Sequence, residues 1–349
     1  MKFPWFKPFN AKIEKHIPGF LKKNKKTMGK YSNLLENKLK KILNVKHVVL
    51  TTSGTSALMM AALALETKSK SKVICTDMTW IASVNPSMIC GANIYLVDTV
   101  EKSQRIDFTK LNNLIKKVKP HIVILVHLSG EPVFNKEFNN LKKKYGFKVI
   151  EDSAQSFLVK GKNKKFTGTN FEVGCYSLSI TKIINMVYGG FCTTNSNSLA
   201  KKLVSIRNNG VNAEPENARL ELANIAGLNL KPSDLHAYIG LINLSYRKII
   251  VKKVNEIYEF YQKNLNNSNI KLLEVNKRDF PTIYVSVFIK DRIKFFNYCK
   301  LNNIQIHFGT RTIHETRLIK KTSSKFLNST LISNHLVRLP CGPGYSKKD

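Results

Sequence analysis

Seven places along the chain carry groups that could do chemistry together: Ser53-Gly54-Thr55, Trp80, His127, Asp152, Gln155, Ser177 and Lys182. A Ser-Gly-Thr turn at a helix start offers free backbone N–H groups, hydroxyls and the positive end of the helix dipole. That combination suits one phosphate. Asp152, directly after an apolar strand pattern, could face a protonated ring nitrogen. Lys182, on a loop nearby, could form a Schiff base with an aldehyde, and Trp80 could stack on a flat ring.

Taken singly, each residue has a bland reading. A glycine between strand and helix is usually a turn, an aspartate after a strand is more often a cap, and lysine is the commonest charged residue here. Taken together, phosphate, protonated pyridine, aldehyde and aromatic face describe pyridoxal 5′-phosphate.

These residues need a scaffold, and the apolar pattern supplies one. Leu34, Leu35, Leu39 and Ile42 recur at helical spacing and predict a helix ending before Asn44. Strands are expected at 47–51, 73–76, 94–97, 122–126 and 148–150, with helices at 56–65, 80–90, 111–118 and 136–145 between them. Such alternation, with strands too apolar to have a wet face, is the mark of a mostly parallel sheet covered by helices. Open parallel sheets bind ligands beyond the carboxyl ends of their strands, where the reactive residues fall. Further strands are expected at 173–178 and 190–194, a helix at 198–208, irregular chain at 211–233, and one or two long helices at 234–259. A smaller α+β unit follows, with strands at 284–289, 304–307 and 336–339 and a helix at 293–302. The expected division is a basic, aromatic arm over 1–30, a large α/β domain over 31–245 and a small domain over 246–349.

With 349 residues, 43% of them apolar, the chain is neither disordered nor a small disulfide scaffold. Its formal charge of +34 raises a polyanion partner. Only nine of the 57 basic residues are arginine, whereas base reading favours the guanidinium fork. Spread lysine reads as solvated surface, and no helix-turn-helix, zinc or RNA-binding signature supports a nucleic-acid partner. The six cysteines form no C-x-x-C pair, which reads as buried thiols in a reducing compartment. Without an apolar leader or a long apolar run, a cytoplasmic protein with no membrane segment is expected. Phe3, Trp5, Phe6 and Phe9 read as an arm packed on the body, with Lys22, Lys23, Lys25 and Lys26 as a rival basic lip.

The motifs resemble those of the DegT/DnrJ/StrS-type sugar aminotransferases, a branch of the fold-type-I aminotransferases. They run from Met28-Gly29-Lys30 through Ser53–Leu58, Met78–Ala82, Val126–Gly130, Val149–Gln155, Cys175–Lys182, Tyr188–Gly190, Arg207–Gly210 and Gly227–Pro232 to Leu339–Gly344. The resemblance implies that Lys182 bonds the cofactor and shuttles a proton, that Asp152 faces the pyridinium nitrogen and that Gln155 lies near the ring oxygen. By the same resemblance Trp80 stacks on the ring, and Gly54, Thr55 and Ser177 cradle the phosphate. Asn229 reaches the phosphate of a neighbouring subunit, which implies a homodimer with its site at the interface. The implied substrates are a nucleotide-linked keto-sugar and an amino-acid donor, L-glutamate. For the donor's carboxylate Arg311 is a candidate, with a plain surface arginine an equally open reading.

Three positions depart from the family's pattern: Ser179-Ile180, Val187-Tyr188 and Leu158, where relatives often carry His-Pro, Gly-Glu and glycine. Sugar dehydratases of the same family replace the lysine with histidine, so Lys182 argues for aminotransfer. A basic, non-catalytic relative that binds nucleic acid or regulates is the remaining alternative.

Overall fold

The computed structural model describes residues 2–23, 28–133, 135–211, 223–265, 269–273, 283–319, 325–346 and 348–349. Two short N-terminal helices, α1 (Ile17–Lys23) and α2 (Lys30–Leu43), precede the first strand, β1 (His47–Thr51). Helix α2 buries Leu35, Leu39 and Leu43 and stops where Asn44 adopts a left-handed conformation. Then come α3 (Gly54–Ala64), β2 (Lys72–Thr76), α4 (Asn85–Ile89), β3 (Asn93–Val97), α5 (Phe108–Val118), β4 (Ile122–Val126), α6 (Lys136–Tyr145) and β5 (Lys148–Asp152). Strands β6 (Val173–Ser177) and β7 (Gly190–Thr194) and helix α7 (Asn197–Arg207) complete this part.

Seven strands form one sheet in the order β1-β7-β6-β5-β4-β2-β3. The pairs from β6 through β3 are parallel, while β7 runs antiparallel to both β6 and β1. Two reversals restore direction, so β1 points the same way as β6. The carboxyl ends of β1, β2, β4, β5 and β6 therefore meet along one edge, which is where the reactive residues stand. Strands β4, β6 and β7 are buried at every position because helices cover both faces.

Helices α8 (Asp234–Ser245) and α9 (Arg247–Asn264) lead to a second, antiparallel sheet of β8 (Ile270–Leu272), β9 (Val285–Ile289) and β10 (Leu336–Leu339), in the order β10-β9-β8. Helices α10 (Arg292–Leu301) and α11 (Leu327–His335) accompany it. Alternation along β9 and β10 divides its faces. Val285, Val287, Val337 and Leu339 pack with Ile257 and Tyr258 of α9, whereas Leu336 joins the core of the large sheet.

Carboxylates at the ends of β2 and β3 clasp the two parts together. Asp77 accepts from the His314 and Ile313 segment and from the Ser329 hydroxyl at 2.6 Å, and Asp98 accepts from the Ser329 N–H at 2.9 Å. The aromatic arm also packs on the body. Phe3 bridges to Ile304, Phe6 to Cys341, and the Trp5 ring lies 5.2 Å from His307. Lys25 and Lys26 lie outside the described residues, as do 212–222 of the stretch expected to be irregular.

Three expected elements differ. The helix expected from Ser56 begins at Gly54, because the Ser53 hydroxyl caps it by accepting from the Ser56 N–H at 3.0 Å. The single helix expected over 80–90 is a 3₁₀ turn, Ile81–Ser83, followed by α4, since Pro86 is tolerated only in a first turn. The strand expected over 304–307 is reduced to two isolated bridges, one to Phe3 and one to Arg338.

Candidate active site

The phosphate-binding expectation rests on how closely α3 approaches the sheet. Ser53 uses its hydroxyl on Ser56, which leaves the Gly54 and Thr55 N–H groups without an acceptor among the described residues. A Cβ on Gly54 would lie 2.8 Å from Ser177 Cβ, and one on Gly190 would lie 2.4 Å from Ser53 O. Gly190 pairs with Thr51 on one side and Ser177 on the other. Two glycines thus bring the helix start against the Ser177 hydroxyl, which donates to Ser179 Oγ at 3.2 Å.

Asp152 ends β5, where its neighbours fix both oxygens. Ser83 Oγ donates to Oδ2 at 2.6 Å and the Ala154 N–H to Oδ1 at 3.1 Å, while Thr79 holds Ser83 at 2.8 Å. Burial pushes the carboxyl up from its ordinary value, and these two donors and the charge of Lys182 offset only part of that rise. A buried carboxylate short of positive charge is what a protonated ring nitrogen would complete.

Lys182 stands in a loop after β6, closed by its own N–H to Ser179 O at 3.0 Å and by Met186 N–H to Leu178 O at 2.8 Å. Its Nζ lies 3.3 Å from the Tyr284 hydroxyl, contributed from just before β9. Gln155 Oε1 accepts the Ser129 N–H at 2.9 Å, which turns its NH₂ toward a different acceptor. Trp80 is 63% exposed with no ring stacked on it among the described residues, so one face is open to a ligand. His127 is buried and structural: Nδ1 accepts from the Val133 N–H at 3.0 Å, so Nε2 carries the proton toward Glu151 at 3.1 Å. No contact among the described residues brings Asn229 to this group. It is exposed, bridged by its backbone to Asn208.

A family model described as the DegT/DnrJ/EryC1/StrS aminotransferase family matches residues 9–349. The chain belongs to this family. It is 29% identical over 249 residues to a GDP-perosamine synthase of Escherichia coli O157:H7, a match covering 71% of this chain and 66% of that relative. It is 26% identical over 336 residues to the UDP-4-amino-4,6-dideoxy-N-acetyl-beta-L-altrosamine transaminase of Campylobacter jejuni strain 81-176, covering 93% of this chain and 88% of the relative. The solved structure of Helicobacter pylori PseC, an aminotransferase involved in the biosynthesis of pseudoaminic acid, superposes with a TM-score of 0.87 at 21% identity. That likeness covers 99% of this chain and 95% of the other, and it shows the fold-type-I aminotransferase architecture expected above.

As a member of this aminotransferase family the enzyme uses pyridoxal 5′-phosphate. The glycine-built cradle and the undercompensated Asp152 fit that group. The motifs did not point to the second layer. Ser83 and Thr79 behind Asp152, Ser129 behind Gln155 and Tyr284 beside Lys182 carry no local signature; only the sheet order brings them in. Arg311 is exposed, and the arginine that faces the site is Arg338.

Proposed function

We propose that the protein transfers an amino group, from L-glutamate, to a keto group on a nucleotide-linked hexose, in surface-polysaccharide or amino-sugar biosynthesis. The observation that carries this is Lys182: its amine faces an acidic, buried floor at Asp152 and a hydroxyl at Tyr284, where a dehydratase of this family would hold histidine. When bound, the cofactor supplies an electron sink for the carbon that exchanges its amine.

The chain's own residues do the rest. Lys182 Nζ removes and returns a proton, with Tyr284 orienting it. Asp152 keeps positive charge at the ring nitrogen, held by Ser83 and the Ala154 N–H. Gly54 and Thr55 N–H groups and the Ser177 hydroxyl hold the phosphate, Gln155 donates to the ring oxygen and Trp80 covers the ring. This reading divides the chain into an arm over 1–30, a cofactor domain over 31–245 and a small domain over 246–349.

The same reading makes the enzyme a cytoplasmic homodimer, with Asn229 serving the partner's phosphate. Ile180, Tyr188, Ile225 and Leu228 are exposed apolar side chains, as an interface would require. No helix among the described residues is long and apolar enough to cross a membrane.

Purified protein given pyridoxal 5′-phosphate should develop a visible absorption band that L-glutamate bleaches and that Lys182→Ala lacks. A protein that forms no band sinks the reading; a band bleached by L-glutamate in an enzyme whose sugar product loses water and gains no nitrogen would favour dehydration.

A further inference from the structure

Helix α10 carries apolar side chains on both of its faces. Phe295, Phe296 and Cys299 pack on the core of the small sheet, as a covering helix requires. Ile293, Tyr298 and Leu301 point the other way and are 59%, 62% and 83% exposed. At 3.6 residues per turn these three fall within an arc of about 140°, with Lys294 and Asn297 between them and Lys300 at its edge. The helix contains no acidic residue.

Tyr298 lines two neighbouring concavities. One, of about 310 Å³, is apolar and continues the exposed surface to Phe260 of α9. The other, of about 820 Å³, is lined by Lys290, Arg292 and Lys294. Arg292 is held there by donating from Nη1 to Ser333 O at 2.6 Å, with its guanidinium 4.6 Å from the centre of the Phe308 ring. Asp291 is taken up in capping the helix, accepting from the Lys294 N–H at 3.0 Å. None of Lys290, Arg292, Lys294 and Lys300 forms an ion pair with a carboxylate among the described residues.

An isolated exposed leucine needs no explanation, but an apolar arc threaded with unpaired cations marks a contact surface. Its occupant must supply apolar depth and negative charge together. A second copy would set these lysines against themselves. A folded acidic protein would need a separate pocket for each projecting side chain, whereas a fluid lipid surface accepts them at any spacing. We propose that α10 docks the enzyme on an anionic phospholipid surface, the helix lying on the membrane and not crossing it. Ile293, Tyr298 and Leu301 enter the boundary between headgroups and acyl chains, and the groove at Lys290, Arg292 and Lys294 receives headgroup phosphates. The formal charge of +34 adds attraction at longer range.

Vesicle flotation of the cofactor-loaded enzyme at physiological salt tests this. Wild type should float with vesicles of phosphatidylglycerol and phosphatidylcholine, and not with phosphatidylcholine alone. Because a chain this basic is attracted to anionic lipid on every face, the apolar side chains decide. Ile293→Ser with Leu301→Ser removes no charge and should lower the partition coefficient at least about tenfold. Lys294→Gln with Lys300→Gln should lower it about 25-fold, or about fivefold per charge. Lys143→Gln with Lys144→Gln, exposed on α6, should lower it far less. Circular dichroism melts report whether each variant is folded. Wild type that floats with neither vesicle overturns the proposal, as does a folded serine variant that floats like wild type. Binding of a helical peptide of leucine and glutamate without flotation assigns the face to a protein partner. A larger oligomer in sedimentation that the serine variant splits, again without flotation, assigns it to a second copy. Either result overturns the lipid surface.

Discussion

The Lys182 amine and the Tyr284 hydroxyl meet at 3.3 Å although 102 residues separate them and they belong to different sheets' neighbourhoods. The contact exists because the seven-stranded sheet delivers Lys182 after β6 while β9 delivers Tyr284 from the other side. Tyr284→Phe removes the hydroxyl and keeps the ring under Arg338. One neutral hydrogen bond is worth about 1 kcal/mol, so the glutamate half-reaction should slow about five- to tenfold while cofactor is still retained. Stopped-flow absorbance of the bound cofactor measures this. An unchanged rate would mean that Tyr284 does not orient the amine.

Asp152→Asn separates charge from shape. The carboxylate's burial raises its pKa in the cofactor-free chain, so the neutral amide should leave the apo protein as stable as wild type or slightly more so. The half-reaction should nevertheless fall by about 10²–10³-fold, the usual loss when a preorganised electrostatic partner is removed. Thermal unfolding of the apo form and single-turnover absorbance give the two numbers. Loss of apo stability would show Asp152 to be structural instead.

Gly190→Ala tests the cradle. Its new Cβ would stand 2.4 Å from Ser53 O, a backbone atom that cannot swing aside. The start of α3 must then shift, at about 1–3 kcal/mol for an overpacked site. Cofactor affinity, read by absorbance titration, should weaken more than tenfold. Thr55→Ala, which adds no atoms, should weaken it less.

Much of this site is legible in the primary structure because it is local. Ser53-Gly54-Thr55 caps a helix, Asp152 ends an apolar strand, and the alternation of strand and helix gives the sheet and its working edge. What is not legible is what long-range register creates. Nothing near Arg338 in the chain distinguishes it from Arg311; only the alternation of β10, known once β9 pairs with it, turns Arg338 toward Ser129, while Arg311 lies outside the strands and is exposed. The broken helix at 80–90 was readable from Pro86, but its consequence was not: the break lets Ser83 turn to Asp152.

The departures from the family's pattern have a backbone meaning. Leu158 and Val187 occupy φ 67° and 68°, the left-handed region that glycine enters freely. A β-branched residue there carries about 1–2 kcal/mol of strain, while glycine would lose about 0.5–1 kcal/mol in chain entropy. Val187→Gly should therefore stabilise the protein by about 0.5–1 kcal/mol in urea melts. A destabilised variant would show that the Val187 side chain's packing outweighs its strain.

Glu131 supplies a pH dependence. Burial pushes its carboxyl up to about 7, outweighing the attraction of Arg105 at 3.0 Å. Unfolded, the group titrates near its ordinary value of 4.5. Between those limits the folded chain holds a proton that the unfolded chain has released. Its contribution to stability is therefore fully present below about pH 4.5 and is lost as the pH rises through about 7. Glu131→Gln cannot titrate, and the half-exposed Arg105 gives up little when its partner becomes neutral. Relative to that variant, wild type should lose about 3 kcal/mol on going from pH 4.5 to above 7, measured by urea unfolding at each pH. Parallel stability curves for the two proteins would show that Glu131 is ionised throughout, its charge matched by Arg105.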